Sequence, residues 1–203
     1  MTPSLVPLYL RSRRLPGAVA ALAVLFAVSR WSADRLVDRA LFDPAARVPL
    51  VVLAPVLAAA VTGLSLHSRS GELDRSAPLP WWRWRAAHLL GLTGLAALWL
   101  GTAVPGDPAH FGAPAMVRGV LGFTGLAAAG AALFGARLSW LPPVVLGGAA
   151  FLAAPRTPGG AAAVWAWSMQ PGAQPAAWAT AVVLFAAGAA LVAVRGPAAD
   201  GVR

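Results

Sequence analysis

The chain has 203 residues, of which 59% are hydrophobic and only 11% are charged, against roughly a quarter charged in an ordinary soluble domain. A soluble domain of this size cannot bury so many apolar side chains, and the long apolar runs lack the polar stripes of surface helices. The absence of Cys and Lys excludes disulfides, thiol nucleophiles and a P-loop lysine. The composition therefore predicts an all-α, polytopic integral membrane protein that does not hydrolyse ATP through a P-loop.

Six apolar runs approach the length of about 20 residues that a helix needs to cross a bilayer. They predict one transmembrane domain over residues 1–203, with helices at about 15–31, 48–66, 86–104, 115–136, 139–154 and 176–194. We expect Pro55 to kink the second helix. The first run could also be a signal peptide. However, RWSADR follows it where a small-residue cleavage site would lie, which favours an uncleaved anchor.

The arginines indicate the orientation of the helices, because cytoplasmic loops of membrane proteins are enriched in basic residues. All 16 basic residues are Arg, and the formal net charge is +9. With a cytoplasmic N-terminus, ten arginines lie on the cytoplasmic side and six lie outside. We therefore expect a plasma (inner) membrane protein with both termini in the cytoplasm. The same placement explains the positive charge without nucleic-acid binding.

Two outer segments contain further helical signals. After the first run, RWSADRLVDRALFDP has an apolar face and a face of alternating charges, which predicts a short amphipathic helix or an extension of the first span. Before the last run, AAAVWAWSM is apolar and aromatic but too short to span, which predicts a short helix dipping into the outer interface. Neither segment requires a function: a solvated helix face explains the first, and a belt of Trp side chains that anchors the chain in lipid explains the second. Substrate gating is the alternative for the first segment.

Arg118 lies about one turn inside the fourth predicted span, where a charge is costly and by default suggests a function. Its side chain could snorkel to the outer head groups, or it could contact substrate or another helix. Gly119, Gly122 and Gly125 recur at intervals of three residues beyond it. Such small residues let helices approach closely in lipid, so we expect them to have a packing role.

Residues for catalysis or metal binding are not evident in the sequence. The three histidines, His67, His88 and His110, have no metal-ligand spacing, and we expect them to form interfacial hydrogen bonds. All seven acidic residues lie outside the apolar runs, whereas ion coupling within a membrane usually uses buried acidic groups. We therefore predict no catalytic residue, no metal site, no cofactor and no enzyme activity.

Residues 67–85 form the one sizeable cytoplasmic loop between predicted spans, and they have two halves. In the first half, Ser70 can cap a short helix with acidic residues in its first turn. This half is not needed for anchoring, and it is the predicted coupling site for a cytosolic partner, formed by Glu72, Leu73, Asp74 and Arg75. In the second half, Trp and Arg alternate as in an anchor at the inner head groups, formed by Trp81, Trp82, Arg83, Trp84 and Arg85.

The span layout and the inner segment SGELDRSAPLPWWRWRAAH resemble the small six-span membrane subunits of ABC-2-type exporters, of the actinobacterial type. In those families a polar segment between the second and third spans docks on a separate ATPase chain. The resemblance implies a non-catalytic permease subunit that forms a homodimer or pairs with a second permease chain. It would couple to its ATP-binding cassette ATPase through the loop 67–85. This chain differs in being shorter and in having its amphipathic segment after the first span.

A second interpretation accounts for the same features. The chain could be a structural or regulatory membrane scaffold that binds partners in the bilayer without transport activity. Its charged inner loop would then hold a partner in place instead of receiving force from an ATPase.

Overall fold

The computed structural model describes residues 15–38, 48–67, 81–104, 112–155 and 157–198, and the regular elements within them are helical. In chain order the α-helices are α1 (Leu15–Asp38), α2 (Val48–Ser65), α3 (Trp81–Ala103), α4 (Ala113–Phe134), α5 (Leu141–Ala153), α6 (Ala162–Trp165) and α7 (Pro175–Arg195). Two 3-10 turns, Ala136–Leu138 before α5 and Trp167–Met169 after α6, complete the set.

Five stretches of these helices are long and apolar enough to cross a membrane, which supports the prediction of a multi-pass helical membrane protein. They are Leu15–Ala33, Trp81–Ala103, Ala113–Phe134, Ala136–Ala153 and Pro175–Arg195. The second predicted span is not among them, because the apolar part of α2, Leu50–Ser65, is shorter.

Two helices extend further than their predicted spans. α3 begins at Trp81, so WWRWR forms its first turn and a half instead of preceding a helix that starts at about 86. α1 continues to Asp38. Of the two predicted alternatives, the extension of the first span is therefore the one that the structure shows up to that residue, and a separate amphipathic helix does not begin before it. The physical reason is that no Gly or Pro interrupts the sequence between Gly17 and Pro44, while Pro and Gly are the residues that end helices.

α4 is the central helix of the bundle and packs against α2, α3, α5 and α7. Its glycines allow these contacts. A Cβ at Gly119 would lie 2.9 Å from Pro55 Cγ of α2, and a Cβ at Gly125 would overlap the backbone of α7. Lipid tails are as apolar as Leu, so helices in a membrane associate through close packing. The packing role predicted for these glycines is confirmed.

The contacts of α2 and α7 show that both run in the same direction as α4. Gly63, near the end of α2, lies against Ala127 in the second half of α4. Beyond the end of α7, the Ala198 N–H donates to the Ala131 carbonyl of α4 at 2.9 Å. We call the end of the bundle where α2, α4 and α7 begin the upper end, and the end where they finish the lower end.

α3 and α5 run in the opposite direction. Ser65, the last residue of α2, contacts His88 near the start of α3, and Gly101 near the end of α3 lies against Val117 near the start of α4. Pro142, at the start of α5, lies against Gly130 near the end of α4. The helices from α2 to α5, and then α7, therefore alternate in direction, as expected for a chain that crosses a layer repeatedly.

Candidate functional site

Between α5 and α7 the chain folds onto the upper end of the bundle. We call residues 157–174 the upper segment; it contains α6 and the 3-10 turn Trp167–Met169. The sequence AAAVWAWSM thus contains the short helical structure that was predicted for it. Gly159 and Gly160 begin the segment with φ of 97° and 57°, a left-handed backbone that glycine adopts without a Cβ clash.

Arg118 of α4 holds the upper segment in place. Its Nη1 donates to the Pro171 carbonyl at 2.6 Å, and its Nη2 donates to the Gln170 carbonyl. The side chain is 0% exposed, and its buried Nε has no hydrogen-bond partner. Arg118 therefore does not snorkel to head groups. It contacts a loop inside the protein, which sequence reasoning did not identify as its partner.

Two side chains satisfy three successive carbonyls of the upper segment, those of residues 170–172. Arg118 binds the first two, and Trp178 of α7 donates its Nε1 to the Gly172 carbonyl at 2.8 Å. Irregular backbone within a membrane must find its hydrogen-bond partners in the protein. These two side chains, with three donor atoms, therefore allow a non-helical turn to lie against the bundle.

The side chain of Gln170 closes the upper segment on itself. It is buried, and its Oε1 accepts a hydrogen bond from the Gly159 N–H at 2.8 Å. This bond joins the start of the segment to the turn that Arg118 holds. The segment is therefore a compact unit fastened at residues 170–172 and at its junction with α7.

Trp167 projects from the upper segment into the bundle. It is 5% exposed, its ring lies where a Cβ of Gly122 would be, and the centroid of Phe123 is 4.8 Å away. The apolar cluster around it comprises Val52, Val56, Ala59, Phe123, Leu126, Ala127, Ala177 and Ala181. The Trp belt expected here is therefore not formed by Trp167, although Trp165 two residues earlier is exposed.

The guanidinium of Arg118 is a buried cation with neutral partners. Among the described residues its hydrogen-bond acceptors are two backbone carbonyls. Burying a charge is costly unless it is paired and hydrogen-bonded, and carbonyl dipoles offset only part of that cost. Chemically, the centre can bind an oxyanion, because guanidinium presents several donors in a fixed fork.

At the lower end, Ser65 of α2 and His88 of α3 form a buried polar contact between helices. Ser65 Oγ lies 2.9 Å from His88 Nε2 and donates to the Thr62 carbonyl at 2.6 Å. His88 Nε2 is then the donor toward Ser65. His88 therefore forms a hydrogen bond, as predicted, and its partner belongs to the neighbouring helix α2, with the His88 side chain buried between the two helices.

The predicted Trp–Arg anchor divides between two sides of the first turns of α3. Trp82 and Arg83 are exposed, with the guanidinium 5.2 Å from the ring centroid, as suits a head-group contact. Arg85 is instead partly buried and donates to the Ala193 carbonyl of α7 at 3.5 Å. A cation at the C-terminal end of a helix is stabilised by the helix dipole. Membrane anchoring by these residues stays a prediction.

The predicted coupling residues, Glu72, Leu73, Asp74 and Arg75, lie outside the described residues, and both helices that border their loop meet at the lower end. In the helical ranges that the structure describes, no group of three or more His, Asp or Glu side chains could hold a metal ion. The chain matches no protein-family model, no curated protein and no solved structure.

Proposed function

We propose that the chain is the non-catalytic permease subunit of an ABC-type exporter, with six transmembrane helices and both termini in the cytoplasm. The observation that carries the proposal is the alternating direction of the helices around α4. It puts the end of α2 and the start of α3, which border the predicted coupling loop, at the same end of the bundle as the last residues of α4 and α7. An ATPase bound to that loop would therefore act on several helices of the bundle through one surface.

The length and the packing of α2 support the proposal of a sixth transmembrane helix, although the apolar part of α2 is short. Its 18 residues rise about 27 Å at 1.5 Å per residue, close to the roughly 30 Å of a bilayer's hydrocarbon core. It also lies alongside α4, with Gly63 against Ala127 and Pro55 against Gly119. A helix that packs alongside the central helix in the same direction would cross the same layer as that helix.

In this proposal the coupling loop transmits movement to α2 and α3. Glu72 and Arg75 offer opposite charges to an ATPase surface, and the Ser65–His88 contact joins the two helices at the ends of the loop. The proposal assigns the energy source to a separate ATPase chain, because these 203 residues contain no lysine that could form a P-loop. A second permease chain or a second copy would complete the transport path.

Copurification tests the proposal. The tagged chain, expressed in its own cell type, is expected to retain an ATP-binding cassette chain identified by mass spectrometry. Charge reversal by Glu72→Arg with Arg75→Glu should remove that chain. Arg35→Glu is the matched control, since the proposed topology puts Arg35 outside. If no ATPase chain is ever retained, or if the double reversal changes nothing, the proposal fails.

The orientation has its own test. A reporter enzyme that is active only in the cytoplasm should be active when fused after Arg203. The same reporter should be inactive when inserted into the upper segment, for example after Gly160. The opposite pair of results would reverse the proposed topology and would put the coupling loop on the wrong side for an ATPase.

A structural or regulatory scaffold without transport activity is the second candidate. The contact between α4 and α7 favours it, because Gly125 and Gly188 leave no room between the two backbones. Such packing holds a bundle closed, whereas a transport path requires helices or subunits that separate. A scaffold would retain partners that are not ATPases, so the copurification experiment distinguishes the two candidates.

A further inference from the structure

Arg118 binds the upper segment in the manner in which arginine binds a carboxylate. Nη1 and Nη2 each donate to one oxygen, and the two oxygens belong to adjacent carbonyls, those of Gln170 and Pro171. Paired acceptors on one guanidinium edge are typical of carboxylate and phosphate recognition. The carbonyls are neutral, however, and the buried Nε is left without an acceptor. An oxyanion at this place would provide the charge that these carbonyls lack.

One helical turn after Arg118, on the same face of α4, Gly122 borders a space with apolar walls. Trp167 fills it, and its walls come from α2, α4 and α7 through residues such as Val52, Phe123 and Ala181. Gly122 provides the depth, since a Cβ there would overlap the Trp167 ring. The side chain that fills this space belongs to the same short segment that covers Arg118. Removal of the segment would therefore expose an apolar pocket and a cation together.

The upper segment has the structure of a unit that could move away from the bundle as a whole. Its helices have four and three residues, which is too short to be stable alone. Gly159 and Gly160 have positive φ at its start, and the bond from Gly159 to Gln170 keeps the segment together. The bond from Trp178 to the Gly172 carbonyl fastens its other end to α7. The Arg118 contacts are the part of this fastening that an anion would replace.

We propose that Arg118 and the pocket filled by Trp167 form a binding site for a lipophilic anion, an apolar chain with one carboxylate or phosphate head group. The upper segment is the lid of this site. In the closed state the carbonyls of Gln170 and Pro171 occupy the place of the head group, and the Trp167 ring occupies the place of the apolar chain. The inference deepens the proposed function by naming a class of cargo and rests on that function only for transport, since binding requires no ATPase.

Photo-crosslinking of the purified full-length chain in dodecyl maltoside tests the site. The probe is a palmitate analogue with a diazirine in its chain, and the control probe is its uncharged methyl ester. We expect the acid to label peptides of α4 and α7 that contain Phe123 or Ala181. Labelling there by the ester should be at least about tenfold weaker, as for the loss of a charge-assisted contact. Equal labelling by acid and ester would overturn the proposal.

Variants separate the roles of the two residues. Arg118→Gln should reduce labelling by the acid to the level of the ester. Trp167→Ala should increase labelling by the acid several-fold, because it empties the pocket and keeps the cation. Arg83→Gln, at an exposed arginine outside the site, should label like the native chain. If Arg118→Gln does not fold, Trp167→Ala alone tests the proposal. Labelling of that variant by the acid that is equal to or lower than labelling of the native chain would contradict the proposal.

Competition identifies the source of the anion. Excess palmitate that abolishes labelling assigns the site to free fatty acids, and excess phosphatidylglycerol that does so assigns it to anionic membrane lipids. Competition by neither overturns the proposal. Because no ATPase is present, a negative copurification result would leave this site standing, and a negative labelling result would leave the permease proposal standing.

Discussion

Gly125 of α4 and Gly188 of α7 face each other so closely that a Cβ on either would overlap the backbone of the opposite helix. This is the contact around which the two helices cross. It joins the central helix to the last span of the chain. A side chain at either position would therefore force the central helix and the last span apart.

Gly188→Ala is expected to destabilise the protein by about 1–3 kcal/mol or more, because overpacking forces the backbones apart. Thermal unfolding followed by circular dichroism in detergent measures the effect. The matched control is Gly94→Ala in α3, where a Cβ meets nothing within 4 Å. The control should be neutral or stabilise by up to about 1 kcal/mol, as Ala does in a helix. Similar losses in both variants would contradict the role of the glycine pair.

Arg118→Lys is expected to loosen the upper segment although it keeps the positive charge. An ammonium is a point charge that cannot bind two carbonyls in a fork, so at least one of the Gln170 and Pro171 carbonyls loses its donor. A buried acceptor without a donor costs about 1–3 kcal/mol. Hydrogen exchange of residues 157–174 should therefore become faster, while exchange in α3 is unchanged. Exchange that rises equally throughout the chain would indicate general unfolding instead.

Trp178→Phe is expected to release the end of the upper segment at α7. The change keeps an aromatic ring, removes the Nε1 donor to the Gly172 carbonyl and makes the side chain smaller, as it also does in the control below. We expect a loss of about 0.5–1.5 kcal/mol and faster exchange near Gly172. Trp82→Phe is the control, because Trp82 is 52% exposed, and it should have no effect on this segment. Unchanged exchange near Gly172 would show that this hydrogen bond does not hold the segment.

Ser65→Ala and His88→Phe should each weaken the contact between α2 and α3, and together they should cost less than the sum of the two. The coupling energy expected for one hydrogen bond between membrane helices is about 0.6 kcal/mol. A double-mutant cycle by unfolding in detergent measures it. Thr102→Ala is the control for loss of a hydroxyl, since Thr102 is exposed and bonds only to carbonyls of its own helix. Additive losses from Ser65 and His88 would show that the two side chains do not interact.

Much of the fold followed from local patterns. The apolar runs predicted the helices because hydrophobicity over about 20 residues is itself the requirement for crossing a bilayer. The spacing of Gly119, Gly122 and Gly125 predicted close packing, because residues at intervals of three lie on one face of a single helix and can be recognised from the local sequence. The exact starts of helices were less predictable. Trp81 begins α3 because nothing after Pro80 interrupts a helix, even though its first turns are rich in Trp and Arg.

The candidate site depended on contacts between distant parts of the chain. Arg118 was recognised as unusual from its place inside a span, but its acceptors lie 52 and 53 positions further along the sequence. Trp167 looked like one member of a Trp belt, and only the shape of α4 at Gly122 explains its burial. Arg85 similarly looked like an anchor, and the end of α7 explains its inward position.

The sequence by itself determined that this is a helical membrane protein, where most of its helices lie and which glycines pack. These properties depend on residues that are close along the chain. The tertiary structure decided what Arg118, Trp167, His88 and Arg85 do, because a polar or aromatic side chain in a membrane protein takes whichever partner the packing of helices brings near it. For Arg118 that partner is the turn at Gln170 and Pro171, and this contact turns a costly charge into the centre of the candidate site.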